Sequence, residues 1–349
     1  MSLDPNDVLK IMRDFCQKYF KTKPSSAQKL EMTQKLDKFI PQICGQLCER
    51  LNREILDKEP NVLLLKGQCC VFGDLHGNLE DVFDYENKFW MNKNPEKDMT
   101  YVFLGDFVDR GLFSTEVSIY LLALKLSNIN KFALVRGNHE VRIVNKGYTF
   151  FTECIKKYGQ TAGPTVWDQI NTCFERLPFA AVIDNLVFCC HGGVPKSLQS
   201  LEDLQKVVKP LVDPAVEAPA THEILWNDPI ESMATYTLMT ERVLRQKRVE
   251  FIPNKVRSTA YYFTSLAVRR FLEINGFSHI IRAHECVDEG FRYTSEDRVL
   301  TVFSSSNYCG KANTTACIKV SINQIQVILL KTPQPSPSSS IQSTSSSTA

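Results

Sequence analysis

The sequence has little that would place the chain in a membrane or direct it to secretion. No uninterrupted apolar stretch approaches the roughly 20 residues that a membrane-spanning helix needs. The first residues, MSLDPNDVLK, lack the basic region and apolar core of a secretory signal. With 41 basic and 39 acidic residues, the net charge of +2 gives no reason to expect a nucleic-acid or anionic membrane partner. We therefore expect a protein of the cytoplasm, the nucleus or both.

Cysteine pairs with the C-x-x-C spacing of a zinc site are also missing, although the chain has 12 cysteines among 349 residues. Two cysteine doublets, Cys69-Cys70 and Cys189-Cys190, lie inside short apolar runs. In an intracellular protein this usage predicts reduced thiols that act as small core residues. A disulfide framework is not expected.

The chain divides into a helical beginning, a long α/β part and a serine-rich end. Apolar residues recur at helical spacing over 7–20 and 27–53, which predicts a helical lead-in, residues 1–60, packed on the rest. From 61 to 331, short apolar runs alternate with helix-like stretches, as in an α/β domain. These stretches cover 78–90, 114–127 and 148–158. Residues 332–349 are low in complexity and are predicted to be disordered.

The short apolar runs predict β-strands in two groups. The first group is NVLLL, CCVF, YVFL, FALV and LVFCC, and its uniform apolarity is typical of strands covered on both faces. The later runs, HIIRA, VLTVF, ACIKV and QIQVILL, follow one another with short turns. They predict a second, more antiparallel sheet on the same core. The expected fold class is α/β, with two packed mixed β-sheets flanked by helices.

Five short motifs place polar side chains next to the ends of these runs. They are GDLHGN at 73–78, GDFVDRG at 105–111, RGNHE at 136–140, CCHGG at 189–193 and RAHE at 282–285. Because functional groups of layered α/β proteins gather beyond the carboxyl ends of strands, we expect these motifs to converge. One such motif alone is usually an ordinary turn, and the hypothesis of a site depends on finding all five.

The ligand types in these motifs indicate a pair of metal ions. Carboxylate, imidazole and amide groups without a thiolate suit Mn²⁺, with Fe or Zn²⁺ also compatible. Two ions about 3.5–4 Å apart can hold a phosphoryl group and lower the pKa of a shared water. Asp106 is the natural bridge, since a carboxylate offers one oxygen to each ion.

Together the motifs resemble those of the phosphoprotein phosphatase family of metal-dependent serine/threonine phosphatases, over about residues 30–331. LWNDP at 225–229 and FSSSNYC at 303–309 are similar to the family's W-S-D-P and F-S-A-P-N-Y-C. Residues 254–285 most resemble the calcineurin catalytic subunit, and CCHGG and NYCG resemble protein phosphatase 1. The resemblance implies a calcineurin-like metallophosphoesterase catalytic domain over 61–331.

The resemblance also implies how the metal ligands are divided. Three residues would hold the first ion: Asp74, His76 and Asp106. Four residues would hold the second ion: Asp106, Asn138, His191 and His284.

The remaining motif residues are assigned to substrate and chemistry by the same resemblance. Arg110 and Arg257 would bind phosphate oxygens, a bidentate task that suits a guanidinium group, and Asn138 and Tyr308 would face the same pocket. His139 would protonate the leaving serine or threonine oxygen, with Asp109 as its orienting carboxylate. A metal-activated hydroxide would attack phosphorus in line, with no phosphoenzyme intermediate.

Three departures from the family pattern lie near this pocket. Ser258 follows Arg257 where the family has Gly, which restricts the backbone. Ser305-Ser306 replaces Ala-Pro before Asn307, and this change is expected to loosen the loop. The segment 230–254 is longer than usual and basic. It is either a solvated insertion or a contact for a substrate or regulator. The basic residues are Arg242, Arg245, Lys247 and Arg248.

Cysteine-based phosphatase chemistry is a rival, because its Cys-x5-Arg spacing occurs twice, from Cys44 to Arg50 and from Cys286 to Arg292. The first lies in a predicted amphipathic helix without a glycine-rich phosphate loop. The second is surrounded by carboxylates that would raise the thiol pKa, whereas a nucleophilic thiolate needs a lowered one. Both are interpreted as chance matches.

The function expected from the sequence is hydrolysis of phosphoserine and phosphothreonine in proteins. Two alternatives stay open: a dinuclear phosphoesterase acting on a small molecule or dinucleoside polyphosphate, and an inactive regulatory scaffold. The expected partners are phosphorylated proteins and regulatory or targeting subunits. Calcium control of the calcineurin type is not expected, because little chain follows LLKTP.

Overall fold

The apolar runs of the sequence form strands, and helices cover the outer faces of the sheets. A computed structural model describes residues 3–92, 98–198, 200–322 and 324–331. The helices are α1 (Pro5–Cys16), α2 (Ser26–Leu51), α3 (Leu79–Lys88), α4 (Ser114–Ser127), α5 (Arg142–Gly147), α6 (Phe150–Phe174), α7 (Leu201–Gln205), α8 (Pro214–Glu217), α9 (Pro219–Trp226), α10 (Leu238–Gln246) and α11 (Ser265–Asn275). The predicted tail, 332–349, lies outside the described residues.

The strands are short, and those at the centres of the two large sheets are buried over most of their length. They are β1 (Val62–Leu65), β2 (Cys69–Phe72), β3 (Thr100–Phe103), β4 (Phe132–Leu134), β5 (Ala180–Ile183), β6 (Val187–Cys190), β7 (Asp228–Pro229), β8 (Phe251–Pro253), β9 (Tyr261–Phe263), β10 (His279–Arg282), β11 (Phe291–Thr294), β12 (Val299–Val302), β13 (Thr315–Ser321) and β14 (Gln324–Lys331).

Two large mixed sheets and one small sheet contain the described strands. The six-stranded sheet has the order β1-β5-β6-β10-β12-β11, and the five-stranded sheet has the order β14-β13-β2-β3-β4. β2, β3 and β4 are parallel, as are β6, β10 and β12, whereas β13 and β14 are antiparallel. A three-stranded sheet, β7-β9-β8, lies apart from both. The expected class of two mixed sheets flanked by helices is confirmed.

The division of strands between the sheets differs from the prediction. The later strands do not form a sheet of their own: β10 and β12 extend the sheet of β6, and β13 and β14 extend the sheet of β2. Apolar runs and short turns indicate that strands exist. They do not indicate which strand lies alongside, because pairing depends on contacts between residues far apart in the chain, such as Ile318 with Val71.

The core consists of three apolar clusters, one of which packs α11 on the six-stranded sheet through Phe188 and Phe271. The facing surfaces of the two large sheets share one apolar cluster, which includes Val71, Val102, Ile281 and Leu300. Helices α1, α2, α3, α4 and α6 share a second cluster with the outer face of the five-stranded sheet. Burial of these faces is the main favourable contribution to folding.

The N-terminal helices begin and pack as their sequence predicts. Ser25 and Gln28 form a reciprocal capping box at the start of α2. The buried face of α2 contacts α6, where the thiol of Cys44 lies 3.9 Å from the carbonyl oxygen of Val166. The boundary between a lead-in at 1–60 and a catalytic part at 61–331 stays a prediction.

Ten of the 12 cysteines are buried core residues, whereas Cys286 is half-buried and Cys309 is exposed. All 12 are free thiols, and both predicted doublets are buried in β2 and β6. Burial raises the pKa of the Cys69 and Cys190 thiols to about 12. Within the ranges that the structure describes, no helix is both long and apolar enough to span a membrane.

Candidate metal centre

The side chains of the five motifs converge at one edge of the two large sheets. Loops after β2, β3 and β4 come from one sheet, and loops after β6 and β10 come from the other. All six predicted metal ligands are buried there: Asp74, His76, Asp106, Asn138, His191 and His284. The convergence follows because parallel strands direct their carboxyl ends to the same edge.

Asp106 lies at the centre of this group. Its Oδ2 atom is 3.5 Å from Nε2 of His76, and its Oδ1 atom is 3.3 Å from Nε2 of His191. Two sets of potential ligand atoms, each within 4.8 Å of one another, share this carboxylate. One set includes His76 and His139, and the other includes His191 and His284. The geometry thus offers one oxygen of Asp106 to each of two neighbouring ions.

The orientation of the imidazole rings fits metal binding. Nδ1 of His76 lies 2.9 Å from the carbonyl oxygen of Val108, and Nδ1 of His191 lies 2.9 Å from that of Leu104. A proton on each Nδ1 leaves the Nε2 lone pair directed at the centre, the usual arrangement of a histidine ligand. Nδ1 of His284 lies 3.1 Å from Nε2 of His191, so His284 directs this nitrogen at the same centre. Divalent cations would satisfy these converging lone pairs.

In the protein alone, the buried carboxylates and imidazoles of this cluster shift one another's pKa values. Burial would raise the pKa of Asp106, but the adjacent imidazoles of His191 and His139 lower it overall. Burial would lower the pKa of His76, yet hydrogen bonding to Asp74 and the charge of Asp106 raise it to about 9. The buried carboxylates and imidazoles thus stabilise each other's charged forms when no cation is bound.

His139 and Asp109 form the predicted pair. Nδ1 of His139 lies 2.5 Å from Oδ2 of the fully buried Asp109. The other carboxylate oxygen accepts hydrogen bonds from the backbone N–H groups of Thr149 and Phe150, at 2.9 and 2.7 Å, where α6 begins. The first backbone N–H groups of α6 thereby hold the Asp109 carboxylate in place, and this carboxylate orients the imidazole ring of His139.

Glu140 is a structural residue of the site that the sequence analysis did not single out. Its carboxylate accepts backbone N–H groups from Asp106, Phe107 and Gly137 at 2.6–2.9 Å. Burial and the charge of Asp106 raise its pKa to about 7. Glu140 is the last residue of the RGNHE motif, so the sequence already pointed to this position. Its carboxylate holds the loop that carries Asp106.

Arg110 and Tyr308 flank the ligand cluster. The guanidinium group of Arg110 is exposed and lies 4.4 Å from the ring centre of Tyr148, which the sequence analysis also missed. The ring of Tyr308 stacks on His76 at 5.0 Å. A cleft of about 230 Å³ opens beside His76, Arg110 and Tyr308. No sequence pattern pointed to Tyr148, because its contact depends on how α5 turns towards the Arg110 loop.

Arg257 is held in place by a carboxylate. Its Nε atom donates to Oδ2 of Asp228 at 2.9 Å, and one Nη donates to the backbone oxygen of His284 at 3.2 Å. The fully buried Arg282 also donates to Asp228, at 3.0 Å. Asp228 belongs to the LWNDP motif, so its signal was present, but no role was assigned to it from the sequence.

Ser258 and Ser305-Ser306, the two departures from the family pattern nearest the pocket, differ in how the structure accommodates them. Ser258 has a φ of +58°, so a serine occupies the left-handed conformation that Gly adopts without strain. The expected loosening at Ser305-Ser306 is wrong. The N–H and hydroxyl of Ser306 both donate to the buried Asp81 carboxylate, at 2.6 and 3.0 Å. Asn78 and Lys331 also donate to Asp81, which ties the loop to α3 and β14.

Neither Cys-x5-Arg match forms a reactive site. Cys44 is fully buried in α2. Burial raises the pKa of Cys286 to about 11, and Arg292 pairs with Glu285 instead of approaching the thiol. The interpretation of both as chance matches is consistent with this geometry.

Comparison with known proteins identifies the family. The sequence profile of calcineurin-like phosphoesterases matches residues 69–288. The chain is 36% identical over 269 residues to the serine/threonine-protein phosphatase 2B catalytic subunit A1 of Saccharomyces cerevisiae, covering 75% of this chain and 46% of that protein. It is 33% identical over 275 residues to the serine/threonine-protein phosphatase PP2A-like PPG1 of the same yeast, covering 78% and 70%.

A plant relative and a solved structure agree with this. Serine/threonine-protein phosphatase BSL2 of Arabidopsis thaliana is 34% identical over 312 residues, 86% of this chain but 29% of that protein. The chain therefore spans less than half the length of two of these relatives. A yeast protein serine/threonine phosphatase with similarity to human phosphatase PP5 superposes with a TM-score of 0.68 at 28% identity, covering 86% and 91% of the two chains. The chain belongs to the calcineurin-like phosphoesterase family.

Proposed function

We propose that this protein hydrolyses phosphoserine and phosphothreonine in protein substrates. The observation that carries the proposal is the convergence of six buried candidate ligands, with Asp106 at their centre, next to the His139–Asp109 pair. Its relatives are named serine/threonine-protein phosphatases, which supports the same class of substrate. Mn²⁺ is our first choice for the two ions, and the ligand set is also compatible with Fe or Zn²⁺.

The ions would be held by Asp74, His76 and Asp106 on one side, and by Asp106, Asn138, His191 and His284 on the other. When bound, two divalent ions supply Lewis acidity to a phosphoryl oxygen and lower the pKa of a water molecule.

The chain's own residues would carry the remaining steps. His139, oriented by Asp109, donates a proton to the leaving oxygen as its bond to phosphorus breaks. Arg110 and Arg257 bind the phosphate oxygens, while Asn138 and Tyr308 face the same group. Asp228 fixes the direction of Arg257, so that its guanidinium group need not be ordered when substrate binds.

Turnover with Mn²⁺ on matched substrates tests the proposal. We expect release of phosphate from a phosphoserine peptide and a phosphothreonine peptide at a higher kcat/KM than from a dinucleoside polyphosphate. The reverse preference would favour a small-molecule phosphoesterase. No turnover of p-nitrophenyl phosphate by metal-loaded protein would favour an inactive scaffold.

Partners and location stay proposals of the same kind. We infer that phosphorylated proteins are the substrates and that regulatory or targeting subunits select among them. A cytoplasmic or nuclear location, or both, would suit such substrates.

A further inference from the structure

The chain between Asp228 and Arg257 leaves the metal centre and returns to it. Asp228 begins β7, and Arg257 lies in the turn between β8 and β9, whose strands pair in the small sheet. The two residues are joined by the 2.9 Å hydrogen bond between Nε and Oδ2. Helix α10 lies on this excursion, so the excursion starts and ends at the edge of the proposed substrate pocket.

One face of α10 is fixed to the rest of the protein. Glu241 accepts a hydrogen bond from the Ser265 hydroxyl, and Arg245 donates to Glu296 at 2.6 Å. Thr237 caps the start of the helix by accepting the N–H of Thr240 at 3.1 Å. These contacts set which side of α10 faces solvent.

The solvent-facing side of α10, which begins next to these anchors and turns away from Glu241, exposes large apolar side chains. Leu238 is 82% exposed and Met239 is 66% exposed, and Val243 lies on the same arc of about 140° at 100° per residue. None of the residues of α10 is buried. A solvent-facing arc of apolar residues on an anchored helix is a common mark of an interaction surface.

Basic residues without an ion-pair partner among the described residues lie within this apolar arc and directly after the last turn of α10. Arg242, Lys247 and Arg248 are exposed, and among the described residues none has a carboxylate within ion-pair distance. Arg245, the fourth basic residue of the segment, differs because Glu296 neutralises it. Such a surface is complementary to a segment that carries both acidic and apolar residues.

We propose that this outer face of α10 binds an acidic, apolar-containing segment of the phosphoprotein substrate while the phosphate lies at the metal centre. We call it the α10 face and define it by Leu238, Met239, Arg242, Val243, Lys247 and Arg248. The proposal rests on the proposed function. It explains why the inserted segment is anchored at both ends beside Arg257. Binding energy gained away from the phosphate lowers KM for such a substrate, and small phosphate esters do not gain it.

Charge reversal tests the α10 face. The variant R242E/K247E/R248E is compared with the unaltered protein on two phosphoserine peptides, one flanked on both sides by Glu and Leu residues and one with every Glu replaced by Gln. We expect KM for the acidic peptide to rise about 3- to 100-fold, as for the loss of three exposed ion pairs. The Gln peptide and p-nitrophenyl phosphate should change little.

A matched control separates this effect from net charge. The variant K38E/K58E/K66E alters three other exposed lysines by the same total charge. A second test variant, L238S/M239S, removes apolar surface without changing charge, and it should also raise KM for the acidic peptide. Equal KM values for the test and control variants would overturn the proposal.

The remaining outcomes distinguish the two proposals. If the unaltered protein hydrolyses p-nitrophenyl phosphate but neither peptide, the proposed function fails. If both peptides are hydrolysed and the α10 variants leave their KM values unchanged, only the α10 proposal fails. The unaltered protein is also tested for binding to phosphatidylserine vesicles. If R242E/K247E/R248E abolishes vesicle binding but leaves KM for the acidic peptide unchanged, the α10 face binds a membrane and the α10 proposal is overturned.

Discussion

The two sides of the proposed pocket are built differently. On the ligand side, Asp106 and His139 lie in loops that are fixed by buried carboxylates, as Glu140 and Asp109 hold backbone N–H groups at 2.6–2.9 Å. On the Arg257 side, one carboxylate, Asp228, holds a turn that contains Ser258 and Ala260 at positive φ. The loops on the ligand side are held by several buried hydrogen bonds to two carboxylates, whereas the orientation of Arg257 depends mainly on Asp228.

The largest expected effect is on the ligand side, at Asp106. We predict that Asp106→Asn abolishes turnover and lowers bound metal together, because the bridge loses its charge. Metal analysis of the purified protein and phosphate release measure the two quantities. Asp203→Asn, at an exposed aspartate, is the control. A fully loaded and active Asp106→Asn protein would show that Asp106 is not the bridge.

His139 should affect chemistry without affecting metal. We predict that His139→Gln lowers kcat about 10²–10⁴-fold, the usual range for a lost general acid. Metal content should stay unchanged, since His139 is assigned to the leaving group and not to the ions. A variant with normal kcat, or one that loses metal, would contradict this separation of roles.

Asp228 tests how much the Arg257 side depends on one carboxylate. We predict that Asp228→Asn lowers the free energy of unfolding by roughly 1–3 kcal/mol, because the buried Arg282 loses one of its two carboxylate partners and keeps Glu285. Urea unfolding measures the change, and KM for a phosphopeptide should rise as Arg257 loses its orientation. Arg257→Gln should cost less stability, since Arg257 is partly exposed. Equal stability losses would contradict the comparison.

The loop that carries Tyr308 offers a graded test. Ser306→Ala removes one donor to Asp81, and Ser306→Pro, the residue typical of the family, removes both. We predict that the proline variant loses about 1–3 kcal/mol of unfolding free energy, as for a buried acceptor left short of donors. The unfolding free energy of the alanine variant should lie between those of the proline variant and the unaltered protein. A proline variant more stable than the alanine variant would show that the Asp81 contacts do not hold the loop.

The smallest effect is expected at Ser258, and it has the opposite sign. We predict that Ser258→Gly raises the free energy of unfolding by about 1 kcal/mol, because Gly adopts a φ of +58° without strain. Ser200→Gly is the control, since Ser200 has an ordinary φ of −141°. Destabilisation of both variants alike in thermal unfolding would argue against strain at Ser258.

Much of the site followed from sequence because its ligands are local to strand ends. Asp74 comes two residues after β2, and His191 comes directly after β6, so the motif and the strand together placed them. The turn at Ser305-Ser306 was predicted wrongly, because Asp81, its partner, is more than 200 residues away in the chain. Tyr148 was missed for the same reason: no local pattern reports a contact with Arg110.

The sequence by itself determined which residues could bind metal, which segments could be helices or strands, and the fold class, since these depend on residue type and short-range periodicity. Only the tertiary structure decided how strands were shared between the sheets, that Asp228 holds both Arg257 and Arg282, and that α10 turns Leu238 and Met239 to solvent. Those features depend on which distant surfaces exclude water from each other, and short-range patterns do not specify that.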